Sequence, residues 1–279
     1  MADFNRNMGF AQYGRRMTGA EAAIIDEGLR AYMLRIYNFM VLGLAITGFA
    51  ALGAYMLSVT DTPSHAAYIL RAGQLVPVEP GVTVQPHDVL LTNFGYAVFI
   101  GPLKWVIALA PIGLVFLLGY RVERMSAAAT QVTFWVFAGV MGLSLGVIFL
   151  VFTHTSVVQV FFITAASFGA LSLWGYSTQR DLTGMGSFLI MGLLGIIIAG
   201  LVNIFIGSTM LQWLISVVGV LVFAGLTAWD TQRLKDEYVA SAMTGELAEK
   251  SAILGALSLY LNFINLFMLL LQLFGNREE

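Results

Sequence analysis

Seven stretches of this chain stay apolar for eighteen residues or more, at about 36–58, 103–120, 132–152, 157–175, 187–206, 211–229 and 253–274. Each is long enough to cross a hydrocarbon layer about 30 Å thick as an α-helix. The third and fourth are separated only by residues 153–156, which predicts a tight helical hairpin. The polar segments between and around them divide the chain into a polar N-terminal tail (1–35), a seven-helix domain (36–274) with one long loop (59–102), and a short C-terminal tail (275–279). A helical start near Thr18, capped ahead of Glu21, fits the end of the tail. The loop holds five of the six prolines, and Pro80-Gly81 is a turn signal, so 68–78 and 82–91 are expected to pair as a small hairpin. The expectation for this loop is a cap over the helix ends.

The last apolar segment, ILGALSLYLNFINLFMLLLQLF, breaks its own pattern. At a helical repeat, Ser258, Asn262, Asn265 and Gln272 fall along one face. An unpaired amide in hydrocarbon costs several kcal/mol, so that face must meet protein or water. The expected fold is therefore an all-α integral membrane protein of seven transmembrane helices with the last helix central in the bundle. Small residues at helical spacing, Gly142 and Gly146, Ala165 and Gly169, Ala166 and Ala170, Gly195 and Ala199, suit close helix packing.

Composition agrees with the pattern. The 279 residues are 58% hydrophobic and 11% charged, where soluble domains run near a quarter charged. A net charge of −2 and the lack of a basic patch give no sign of nucleic-acid binding. There are no cysteines, which excludes thiol chemistry, disulfides and thiolate metal sites. The cationic residues are more informative. Arg6, Arg15, Arg16, Arg30, Arg35, Arg121, Arg124, Arg180, Arg233, Lys235 and Lys250 fall on the side of the N-terminus, against Arg71, Lys104 and Arg277 on the other. The asymmetry predicts a cytoplasmic N-terminus and an outer C-terminus. No apolar segment of a cleavable signal precedes the first span.

Most acids lie in loops or tails. Asp230, in GLTAWDTQRLK at the end of the sixth span, is the exception. A carboxylate at membrane depth should face the bundle interior or water and find a partner. Arg233 lies one turn beyond it, Arg121 ends the second span on the same side, and Asn262 belongs to an antiparallel neighbour. Two readings stay open: an interfacial acid paired with Arg233, or an interior polar site with Arg121 and Asn262.

The segments AWDTQRLK and LGALSLYLNFINLFMLLLQLFG, with PLKWVIALAP and MGLSLG in the second and third spans, resemble the bacterial branch of the Bax inhibitor family, the YccA-like or TMBIM proteins. The likeness covers nearly all of the membrane region, but neither the tail nor the long loop in any informative way. The resemblance implies a seven-helix fold with the last helix ringed by the other six. It also implies a pH-sensitive leak of cations, notably calcium, in which two aspartates on the last two helices share a proton and an arginine of the second helix pairs with one of them. By position Asp230 matches the first aspartate and Arg121 the arginine. The family's usual LYLDFINLF reads LYLNFINLF here, so Asn262 stands where the second aspartate is expected. An amide cannot titrate, and its NH2 donates to Asp230 instead. Any pH response is therefore expected to be weaker than in a two-aspartate member, or displaced to more acid pH.

The expected latch is Asp230, Asn262 and Arg121, with secondary polar contacts at Arg233, Asn265 and Ser258. One carboxylate suits weak calcium contact at most, since calcium prefers six to eight oxygens. No other metal site and no cofactor are expected. His65, His87 and His154 fall in outer loops, too scattered for a metal. The last helix lacks the lysine a retinal protein needs, the histidines are misplaced for an intramembrane serine protease, and a second membrane aspartate is missing for an aspartyl one. No phosphate-binding loop is present, and no enzyme is expected. Two function classes remain: a cation leak, or a non-conducting regulator acting through contacts such as those with a membrane-bound protease. The tail and the long loop would be the regulator's means. The expected partners are the lipid bilayer, calcium or other cations, and that protease. The expected location is the bacterial inner membrane.

Overall fold

The computed structural model describes residues 19–71, 74–79, 83–85, 88–241 and 245–277. The expected Thr18 start, the Pro80-Gly81 turn, His87 and the tail arginines Arg6, Arg15 and Arg16 lie outside the described residues. Seven long helices carry the apolar segments: α1 (Gly19–Ser58), α2 (Leu103–Arg121), α3 (Ala127–Leu145), α4 (His154–Ser177), α5 (Thr183–Ile206), α6 (Thr209–Ser241) and α7 (Gly245–Phe274). All seven are long and apolar enough to cross a membrane. One end of the bundle bears Arg121, Arg124, Arg180, Arg233 and Lys235 and is called the arginine-rich face. The other end bears a small sheet.

The first helix begins well before the expected span. Residues 19–35 are not a separate polar tail but the first turns of α1, which runs for 40 residues. The extension is held because Leu29, Tyr32 and Met33 are buried. Tyr32 stacks on Tyr238 of the equally extended α6 at 4.8 Å and meets Ser251 of α7 through its hydroxyl at 2.9 Å.

Burial is concentrated in α7. Two thirds (67%) of its most apolar window is inside the protein, against at most 33% for any other helix. α7 packs on α1, α3, α4 and α6, while α2 lies outside on α3 and α5 outside on α6. Of the six helices expected around it, four pack on it closely, while α2 packs chiefly on α3 and α5 on α6. From Leu254 to Gln272, the residues of α7 that are not buried are Leu254, Ser258, Leu261, Asn265, Met268 and Gln272. They are spaced alternately four and three apart, a single line along the helix. The buried side carries Tyr260, which meets Phe134 and Phe137 edge-on and shares a 2.6 Å hydrogen bond with Thr47.

Glycines allow close contact between helices. A β-carbon at Gly142 of α3 would collide with the Thr47 carbonyl and Ala50 of α1, and one at Gly146 would press on Ala51 and Ala54. This is small-residue packing as expected for that pair. Gly169 and Gly195, by contrast, face open space. After Leu145 the helix breaks at Gly146-Val147, resumes briefly over Ile148–Val151, and α4 starts again with Thr153 accepting from the Ser156 amide.

The long loop forms a three-stranded antiparallel sheet in the order β2-β1-β3, from β1 (Tyr68–Arg71), β2 (Gln74–Pro77) and β3 (Val89–Leu91). The expected pairing of 68–78 with 82–91 is present as β1–β3, and β1 also folds back on β2, a second pairing within 68–78 that was not expected. Arg71 pins the far end, gripping both oxygens of buried Asp88 at 2.7 and 2.8 Å. That fork-to-carboxylate geometry fixes register as well as adding energy.

Candidate functional site

The site is built around residues 228–235 of α6, which continue the apolar helix without a break into A-W-D-T-Q-R-L-K. Each side chain meets a different neighbour. Ala228 is seated against Gly175 of α4, and Trp229 against Gly186 of α5; a β-carbon at either glycine would collide with it. Thr231 shares a 2.9 Å hydrogen bond with Ser172 of α4, which shares another of 2.6 Å with Tyr37 of α1. Gln232 straps the α4–α5 turn, accepting from the Leu182 amide and donating to the Arg180 carbonyl, both at 2.8 Å. In that turn the hydroxyl and amide of Thr183 hold the Asp181 carboxyl below its usual range. Leu234 packs where a side chain at Gly255 of α7 would have to go. Lys235 donates to the Tyr176 carbonyl at the end of α4 at 3.0 Å. The segment ties α6 to four other helices, and its polar residues are shared among them.

Asp230 faces α7. Its carboxylate is 5% exposed and fully engaged. One oxygen accepts from the Asn262 amide at 2.7 Å and from the Ser258 hydroxyl at 2.9 Å, while the other pairs with Arg233 at 2.7 Å. The two readings left open by the sequence are therefore both realised, except for Arg121. That residue is exposed at the end of α2, which packs on α3, and although Val122 and Glu123 just beyond it reach the cavity that Arg233 lines, Arg121 forms no ion pair with Asp230. The Asp230–Arg121 pair expected from the resemblance is replaced by Asp230–Arg233. Arg233 is further held by the Trp229 ring, 5.1 Å from its guanidinium, an arrangement favourable to a cation. Asn262 is 6% exposed and turned to the carboxylate, whereas Asn265 donates to the Leu261 carbonyl of its own helix.

Two cavities meet at Arg233. A vestibule of about 510 Å³ opens at the arginine-rich face among Glu123, Glu237, Leu247, Lys250 and Leu254. A groove of about 630 Å³ lies between α5, α6 and α7. One wall of the groove is apolar, with Ile190, Leu193 and Ile197 of α5; the other carries Asp230, Ser258, Asn262, Asn265 and Gln272. Arg233 lines both cavities. Among the described residues no group of three His, Asp or Glu side chains could hold a metal ion. His154 packs in an aromatic cluster with Tyr55 and Phe149 instead.

The sequence reading missed Tyr37, Ser172, Thr231, Gln232 and Lys235. A signal was available: Ser172 is an isolated polar residue inside an apolar span, and no turn residue separates Trp229 from the polar run after it. Replacing Gln232 with alanine is expected to leave the Leu182 amide without its acceptor and to speed its hydrogen exchange roughly tenfold. An unchanged exchange rate would mean that the strap contributes nothing.

The arrangement defines a class first: a polytopic seven-helix membrane protein with a buried carboxylate, Asp230, held in an ion pair between a vestibule and a groove among its helices. The chain belongs to the Bax inhibitor family: residues 29–279 match the family described as "Inhibitor of apoptosis-promoting Bax1". It is similar to the inner membrane protein YbhL of Escherichia coli, 39% identical over 253 residues that cover 90% of this chain and 94% of the relative. It is also similar to an uncharacterized protein of Rickettsia prowazekii, 41% identical over 262 residues, or 94% of this chain and 96% of the relative. An uncharacterized protein of Caulobacter vibrioides matches over 282 residues at 39% identity, covering both chains in full.

Proposed function

We propose that this protein is a pH-influenced cation leak of the inner membrane, with its arginine-rich face in the cytoplasm, closed at that end by the Asp230–Arg233 pair. The observation that carries the reading is the position of Arg233. It lines both the vestibule and the groove and is held there by a buried carboxylate and an aromatic ring. A charge at membrane depth is expensive and is a functional-site hypothesis by default. The inner-membrane name of the Escherichia coli relative and the crowding of cationic residues at one face support the location and orientation.

Protonating Asp230, or a cation taking Arg233's place beside it, releases the guanidinium and joins the two cavities. Ser258 and Asn262 contribute hydrogen bonds that hold the carboxylate in position for the pair. Calcium meets a single carboxylate with amide and hydroxyl oxygens nearby, which suits passage and not tight binding.

The test is calcium flux into proteoliposomes from pH 5 to 8. Asp230→Asn is expected to raise flux severalfold at neutral pH and flatten its pH dependence. Arg233→Ala should act in the same direction, and Arg121→Ala should leave flux unchanged. No flux above empty vesicles from folded protein at any pH would overturn the leak and favour a non-conducting regulator acting on a membrane partner such as a protease.

A further inference from the structure

The groove between α5, α6 and α7 also has an end at the sheet face, and it is not closed by charge. Gln272, the last groove residue on α7, accepts at one amide oxygen from the Gln212 side chain at 2.8 Å and from the Ser216 hydroxyl at 3.0 Å, both on α6. Gln212 in turn accepts from the Asn203 amide of α5 at 3.1 Å. Asn203 also accepts from the Ser208 amide, so it is fixed to the tight α5–α6 turn around Gly207. These four side chains join all three helices that form the groove at this end, while at the other end Asp230 with Asn262 and Gln232 with the Leu182 amide join them in pairs. Along the groove itself α5 offers only apolar side chains.

The span of the two cavities matters as much as their ends. The vestibule reaches Leu247 and the groove reaches Gln272. At the rise of an α-helix that is about 37 Å along α7, more than the roughly 30 Å hydrocarbon core. Between the ends, the groove wall of α7 and α6 sets the oxygen and amide groups of Asp230, Ser258, Asn262 and Asn265 among apolar side chains such as Leu226, Leu261 and Met268. Asn265 spends its amide N–H on Leu261, and no hydrogen bond occupies its side-chain oxygen among the described residues. The oxygen acceptors that run along this wall suit water and hard cations.

We propose that the α5–α6–α7 groove is the aqueous path of the leak and that the Asn203–Gln212–Ser216–Gln272 cluster is its outer gate. This rests on the leak reading above and adds a route and a second closure to it. The outer gate contains no titratable group. It opens when α5 and α6 move away from the end of α7, whereas the Asp230–Arg233 closure responds to protons and cations. The two closures are in series, so loosening either alone increases access to the groove from its own side.

The lack of cysteine in the chain makes the test direct. Asn265→Cys places the only thiol in the mid-groove, and its reaction with a membrane-impermeant cationic methanethiosulfonate applied from the outer side reports aqueous access. Adding Gln272→Leu, close in shape but unable to accept, is expected to speed the reaction about tenfold, the equivalent of one or two hydrogen bonds lost from the closed state. Ser216→Ala should give a smaller rise in the same direction. Leu247→Cys in the vestibule, treated from the inner side, should react equally in both backgrounds and controls for folding. Labelling that stays negligible with either gate variant while Leu247→Cys reacts normally would mean a lipid-filled groove and overturn the proposal. Calcium flux in the same vesicles separates the two readings. Faster labelling without flux even in Asp230→Asn overturns the leak and leaves the gate. Flux altered by Asp230→Asn with outer labelling unmoved overturns the gate and leaves the leak.

Discussion

On the leak reading proposed above, Asn262→Asp is expected to move the acid-induced rise in calcium flux to higher pH by about one unit or more. The native amide lies 2.7 Å from the Asp230 carboxylate and donates to it. Putting an oxygen in place of that donor brings two carboxyls into hydrogen-bonding contact. Two such groups cannot both be charged cheaply, so the pair favours sharing a proton. A proton shared between the two acids weakens the hold on Arg233. The vestibule and groove then join at a pH where the native chain stays closed. Ser258 still donates to Asp230 in the variant, so its geometry is retained. Flux measured from pH 5 to 8 on native and variant protein decides the matter. Coincident profiles would show that the second acid of the family's usual pattern has no part in sensing at this position. The double variant Asp230→Asn with Asn262→Asp should lose the shift, because one carboxyl alone has no partner to share with.

Gly142→Leu is expected to give the largest loss of stability, about 2–3 kcal/mol or outright failure to assemble. The clash lies against the carbonyl of Thr47, a backbone atom that no rotamer change can move. α1 and α3 would have to separate, and with them the Thr47–Tyr260 hydrogen bond that anchors α7. Thr47 also donates to the Ala138 carbonyl of α3 or to that of Gly43, so the loss reaches three helices. Gly139→Ala, one turn away and facing open space, is the control; it is expected to be neutral or to add up to about 1 kcal/mol through helix propensity. Thermal melting in detergent compares the two. Equal melting temperatures would mean that the glycine face of α3 is not a close contact.

The seven membrane helices were legible in the sequence because burial in lipid imposes one requirement on every span: enough apolar residues in succession, with all backbone groups bonded within the helix. The polar face of α7 was legible for the same reason, since amides in hydrocarbon must be accounted for. Asp230 and its α7 partner Asn262 followed from antiparallel neighbours and helical spacing. The extension of α1 back to Gly19 was not legible. It depends on Tyr32 finding Tyr238 and Ser251, residues more than two hundred positions away. Nor was the choice of arginine. Arg121 at the end of the second span and Arg233 just past the sixth lie at the same face, and one-dimensional order says nothing about which of them reaches Asp230.

By itself the sequence determined the class of the protein, the number of its helices, the face that gathers its cations and the residues that cannot be left in lipid. Those properties follow from local hydrophobicity and helical period, which act along the chain. The tertiary structure decided which of those polar residues meet. It packed α2 chiefly on α3 and α5 on α6, gave Asp230 to Arg233, distributed the polar run after Trp229 among four helices, and left polar groups facing a groove. These depend on which helix faces pack together. In lipid that choice is made by shape, glycine contacts and a few hydrogen bonds, since apolar surface alone gives one neighbour no advantage over another.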